Sequence, residues 1–152
     1  MISFTRTHDM DMVRMIISHP KIYSRVADDG MPPAEQFEPT QHEALWYILI
    51  EDEAGPLGLF LLVPHSTVML EIHTYLLPSA WGEKAKKIAR EMAEWLWSQT
   101  SCCSLITYVP RFNRLALRFA QAAGMKIKAT VPKSFLKHEQ LHDQILLTLS
   151  RP

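Results

Sequence analysis

Cysteine is almost missing from this sequence: of 152 residues only two are cysteines, Cys102 and Cys103. Neighbouring residues of a strand point to opposite faces, which argues against a bridge between them and for buried free thiols of a cytosolic type. Net charge is missing too, since 16 Lys and Arg balance 16 Asp and Glu. A nucleic-acid module usually carries a basic excess, and this chain has none overall. No apolar run is long enough to span a bilayer. The first residues, Met1-Ile2-Ser3-Phe4-Thr5-Arg6, lack the charged start and long apolar stretch of a secretory leader. Internal repeats and low-complexity segments are absent. The expectation is a cytoplasmic protein with no membrane partner, forming a single domain over residues 1–152.

What is present is a clear alternation of periods. Ile2 to Thr5 alternates as a short strand does. Asp9 is placed to cap a helix with Met12, Val13, Ile16 and Ile17 on one side, and Pro20 suits the first turn of a second short helix, Lys21 to Ala27. Asp28 to His42, with Gly30, Pro32, Pro33 and Pro39, reads as a long loop. Three strand candidates follow, Ala44–Ile50, Leu57–Val63 and Val68–Leu77, separated by turn segments, so two consecutive hairpins are expected. Gly82 to Ser98 carries Ala85, Ile88, Ala89, Met92, Trp95 and Leu96 at helical spacing, with Glu83, Lys87 and Glu91 four apart on the wet face. Ser104–Val109 is a strand. Asn113 caps a helix to Ala123 that stops at Gly124, and Lys126–Val131 and Gln144–Leu149 are the last strands. The result is a mixed α/β sheet of about seven strands with four helices, one of them crossing over between two parallel strands.

Two junctions carry a likeness beyond this pattern. In Asn113 to Met125 the residues Asn113, Ala116, Phe119, Gly124 and Met125 stand at the spacing of a capped helix that lies close to a ligand or a strand and leaves through a left-handed glycine. In Tyr75 to Lys86, Pro78 and Gly82 precede the crossover helix. With the order of elements, these segments resemble the GNAT superfamily of acyl-CoA-dependent N-acyltransferases over nearly the whole chain.

The resemblance implies a GNAT-like fold that binds acetyl-CoA as a substrate. It implies that Val68–Leu77 and Ser104–Val109 are adjacent and parallel and diverge near Tyr75 and Leu76. Backbone groups of Tyr75, Leu76 and Leu77 would then meet the pantetheine arm. Trp81, Gly82, Glu83, Lys84, Ala85 and Lys86 would hold the pyrophosphate through amides and the helix dipole. Asn113, Ala116 and Phe119 would line the other wall. The sequence departs from the family where Trp81 replaces an arginine and Lys84 and Lys86 replace glycines. Lysine charge then either compensates for the lost glycines or belongs to an ordinary solvated helix face. Where the family often keeps a tyrosine as acid, this chain has Ala120. Tyr108 or Tyr75 are the substitutes in reach, each also readable as a core tyrosine.

Glu71 and His73 share one strand face and are either the base for an amine or a structural polar pair. His138-Glu139-Gln140-Leu141-His142 matches a zinc-protease spacing, but the segment is too short for the helix that chemistry needs and reads as a polar loop. Trp46, Trp81, Trp95 and Trp97 are assigned to core and rim packing.

The function implied is acetyl transfer to an unknown amine or protein acceptor, with a homo-oligomer left open. A narrower resemblance, to small GNAT-like proteins of tailed bacteriophages, implies the alternative: a non-catalytic protein of virion assembly or genome delivery with virion proteins as partners.

Overall fold

The computed structural model describes the whole chain, Met1–Pro152. Its seven strands are β1 (Ser3–Thr7), β2 (Trp46–Asp52), β3 (Gly55–Pro64), β4 (Met69–Leu76), β5 (Ser104–Pro110), β6 (Lys126–Lys137) and β7 (Gln140–Ser150). The four helices are α1 (Met10–Ile17), α2 (Pro20–Val26), α3 (Glu83–Gln99) and α4 (Arg114–Ala122). The strands form one sheet in the order β1-β2-β3-β4-β5-β7-β6. Every pair is antiparallel except β4 with β5, which α3 joins by a crossover as expected.

Alternation along the strands sends side chains to two cores. Ile48, Ile50, Phe60, Ile72, Leu105 and Leu147 face α3 and α4, where Ile88, Met92 and Leu96 of α3 cover them. Tyr47 and Leu59 face the other way, with Tyr75 packed beside them, against Val13, Ile16 and Ile17 of α1 and Ile22 and Tyr23 of α2. The short helices hold because each is capped as well as buried: the Asp9 carboxylate accepts from Met12 N, and the His19 imidazole accepts from Lys21 N.

Several sequence expectations are corrected. The segment 138–142 is no free loop. His138 and Glu139, both with positive φ, form the two-residue turn of a long hairpin whose strands run to Lys137 and from Gln140. The signal was missed because β6 is an edge strand exposed on both faces, so no apolar alternation marks it. The turn geometry also removes the zinc-protease reading, which requires a helix. Cys102 is buried but Cys103 is exposed, and both lie in the segment that precedes β5 rather than in a strand. On α3 the exposed pairing is Lys86 with Glu83 rather than the expected four-residue pairs.

Candidate functional site

The parallel seam is short. Met69, Leu70 and Glu71 pair with Ser104, Leu105 and Ile106, and there the ladder stops. One further link, from Thr107 Oγ1 to the Ile72 carbonyl at 2.9 Å, closes it. The divergence therefore begins at Ile72, three residues before the expected Tyr75, because a side chain rather than a backbone amide makes the last contact. Beyond it β4 stays with β3, and β5 stays with β7. By the alternation of strand hydrogen bonding, the Ile72, Thr74 and Leu76 backbone groups face the gap.

Gly58 permits this geometry. It lies opposite Leu76 at φ +151°, and a Cβ placed on it would sit 2.2 Å from the Tyr75 carbonyl oxygen and 2.9 Å from Leu76 Cα. β4 thus leans onto β3 where only glycine leaves room, which draws it away from β5. A glycine inside a strand that marks close backbone approach was available as a sequence signal and was not used. The register of β3 also slips here, with Leu57 as the extra residue whose carbonyl accepts from Leu77 N at 2.9 Å.

The gap opens into an apolar cleft lined on the strands by Ile72, Thr74, Tyr75, Leu76, Thr107 and Val109. Trp81, Gly82, Ala85 and Met92 close it on the α3 side, and Asn113, Leu115, Ala116, Phe119 and Ala120 on the α4 side. Lys21, Ile22, Arg25 and Val26 of α2 form the remaining wall. No local signal in the sequence joins α2 to strands some fifty residues away; only the tertiary fold brings them together. Asn113 is buried and caps α4, its Oδ1 accepting from Ala116 N at 3.2 Å. Gly82, at φ +85°, starts α3 and lines the cleft with Ala85, and the first amides of a helix have no partner within it.

The sequence-predicted residues divide accordingly. Tyr75, Leu76, Trp81, Gly82, Ala85, Asn113, Ala116 and Phe119 line the cleft. Leu77, Glu83, Lys84, Lys86, Glu71, His73 and Tyr108 do not. Lys84 Nζ is held by Asp52 Oδ2 at 2.9 Å and Lys86 Nζ by Glu83 Oε1 at 2.9 Å, so both charges are engaged by carboxylates. The Lys84 ion pair also holds the Asp52 carboxyl below its ordinary range. Trp81 does more than pack: its Nε1 donates to the Leu76 carbonyl at 3.0 Å across the cleft mouth, and the Arg25 guanidinium stacks 4.5 Å above its ring.

Glu71 and His73 share a face, and a third group joins them. Glu71 Oε2 meets His73 Nε2 at 2.7 Å, and Oε1 meets His65 Nε2 at 2.8 Å. The bond from His73 is the main cause that holds the Glu71 carboxyl below its usual value, burial opposing it and His65 assisting. Burial pushes the Tyr75 phenol well above the usual tyrosine range, with Tyr47 and Glu71 adding to the effect. Such a phenol stays protonated and is a donor, not a base.

No protein-family model matches the chain, and no curated protein matches it in sequence. Solved structures match it well. A spermidine N-acetyltransferase from Vibrio cholerae, in complex with CoA and spermine, superposes with a TM-score of 0.79 at 12% identity, covering 98% of this chain and 95% of that one. A protein assigned as a phosphinothricin N-acetyltransferase gives 0.75 at 15% identity, covering 99% and 98%. The N-acetyltransferase PseH of Campylobacter jejuni, in complex with acetyl coenzyme A, gives 0.58 at 19% identity, covering 74% and 72%. At these identities the likeness is one of fold: the chain has the mixed seven-stranded architecture of GNAT N-acetyltransferases.

Proposed function

We propose that the protein is an acetyl-CoA-dependent N-acetyltransferase. The observation that carries this reading is the gap between β4 and β5, an apolar channel edged by β4 backbone that β5 does not pair beyond Glu71, with the Leu76 carbonyl taken by Trp81, and ending at the N-terminus of a 17-residue helix. An extended amide-containing arm matches the strand edge of Thr74 and Leu76, and a pyrophosphate matches the first amides of α3. The residues present therefore fit acetyl-CoA, with Asn113, Ala116 and Phe119 as the opposite wall.

Acetyl-CoA would supply the thioester: a bond forms between the acceptor nitrogen and the acetyl carbon as the carbon–sulfur bond breaks. One proton leaves the amine and one reaches the departing sulfur. Tyr75 is the donor best suited to the second task, since the residue lines the cleft and its phenol stays protonated. Tyr108 is second to it, because it does not reach the cleft. For the first task His73 is preferred over Glu71. The carboxylate, held below its usual pKa, is a poor base, but it orients the imidazole through Nε2 and leaves Nδ1 as the basic nitrogen. His73 lies one residue before the cleft-lining Thr74, so the proton would pass through water.

A second reading has specific support. Ala120 in the cleft wall and the engagement of Lys84 and Lys86 by carboxylates favour a GNAT fold without catalysis, such as a phage assembly or genome-delivery factor. Calorimetry with acetyl-CoA separates the two. Wild type should bind, and Ala116→Leu, which fills the cleft from a half-buried position, should abolish binding while its thermal unfolding stays near wild type. No heat of binding at millimolar acetyl-CoA would overturn the transferase.

A further inference from the structure

Past Arg25, Asn113 and Leu115 the cleft opens into a second cavity of about 490 Å³, within the size range of small-molecule sites. Its chemistry is the opposite of the inner cleft. Arg25 of α2, Arg114 of α4, and Lys137, His138, Gln140 and His142 of the β6–β7 hairpin line it, and no carboxylate does. Two nearby acids are engaged elsewhere. The Asp29 carboxylate accepts from His138 N at 2.9 Å and Glu139 N at 2.8 Å, fastening the hairpin tip. Asp143 accepts from Lys133 N at 3.0 Å and lies 3.7 Å from Arg111.

The cations are placed rather than scattered. Arg25 is positioned by its stacking on Trp81 and by one bond from Nη1 to the Lys21 carbonyl at 3.0 Å, which leaves the rest of its donor fork free. Lys137 is pinned by its bond to the Ala27 carbonyl at 2.7 Å. Arg114, at the first position of α4, has no ion-pair partner within the chain. A polycation entering this cavity would meet only like charge, whereas a carboxylate or phosphate would meet two guanidinium forks.

We propose that the acceptor is a small primary amine bearing an oxyanion, anchored here by Arg25 and Arg114 with its amine directed into the inner cleft. This rests on the transferase reading above. The oxyanion is a carboxylate or a phosphate, and the test separates them. Glycine, aspartate, O-phosphoethanolamine and spermidine are titrated into the protein and followed by the amide NMR signals of Ser24, Arg25, Gln140 and His142, with and without acetyl-CoA. Expected is saturable binding of at least one anionic amine at these amides and none of spermidine. Arg25→Gln and Arg114→Gln should each weaken it about tenfold, the loss of one charge-assisted bond pair. Acetylation of the same amine, read by mass spectrometry, then follows the binding series. Spermidine binding at these amides, no binding by any anionic amine, or displacement of the anionic amine by desulfo-CoA would each overturn the proposal; the last would assign the cavity to coenzyme phosphates. Binding that survives in the absence of any acetyl transfer would leave the anion site standing and overturn the transferase reading instead.

Discussion

Replacing Gly58 with alanine tests the origin of the cleft. The added methyl would stand 2.2 Å from the Tyr75 carbonyl oxygen, so strand β4 must retreat by about 1 Å to reach ordinary contact. The obstacle is backbone, which cannot rotate away as a side chain would. Two costs combine: holding an L-residue at φ +151°, about 1–3 kcal/mol, and overpacking a buried strand pair, about 1–3 kcal/mol. Gly55→Ala is the control, since Gly55 has φ +124° with nothing within 4 Å of the added atom, and only the first cost applies. Urea unfolding of both variants should place Gly58→Ala below Gly55→Ala by about 1–3 kcal/mol, or about 3–10 °C in melting temperature for a chain of this size. If β4 relieves the clash by moving toward β5, the cleft narrows, and acetyl-CoA affinity falls as well. Equal stability of the two variants, with acetyl-CoA binding unchanged, would refute the idea that Gly58 sets the splay.

Three further outcomes are expected. Glu71→Gln should lower stability at pH 6, and the difference should shrink progressively as the pH drops below the ordinary glutamate value: the folded carboxyl is depressed, so its contribution is present above that value and is lost as pH falls through the folded one; unfolding curves of wild type and variant over a descending pH series check this. Asp29→Ala should free the hairpin tip, raising hydrogen exchange at the His138 and Glu139 amides with little change in global melting, and acid should do the same to wild type because those two amides are what depress the Asp29 carboxyl. Arg151→Ala removes bonds to the carbonyls of Trp97, Thr100 and Cys102 at the end of α3 and should cost about 2–3 kcal/mol in chemical unfolding.

The residues differ in how openly they announced these roles. The capping Asn113 and the stripe of α3 were legible because their signals are local: a side chain serving its own turn, or an apolar face at one period. The order of elements followed from the same signals. β6 was not legible past Val131, since an edge strand exposed on both faces has no apolar alternation to show. Of the site, the walls from β4, α3 and α4 were legible, but α2 was not, because nothing in Lys21 to Val26 encodes which strand gap it will cover. Lys84 illustrates the limit most directly: its partner Asp52 lies 32 residues away, and charge alone does not tell which carboxylate or phosphate a lysine will meet.

The brevity of the β4–β5 seam has a mechanical side. Three residue pairs, one threonine hydroxyl and the Val68 carbonyl, which accepts from Cys103 N and Ser104 N, join the β1–β4 plate to the β5–β7 plate, against seven paired positions between β5 and β7. A pulling force applied across the strands would concentrate there, parting the sheet as a page tears along a perforation, while each plate kept its own ladder. Two ties bridge the plates under such a load: α3 packs on the first and is held by Arg151 at the end of the second, and the segment after α2 holds the β6–β7 hairpin through the Ala27 carbonyl and the Asp29 carboxylate. These ties, more than the strand ladder, keep the molecule in one piece.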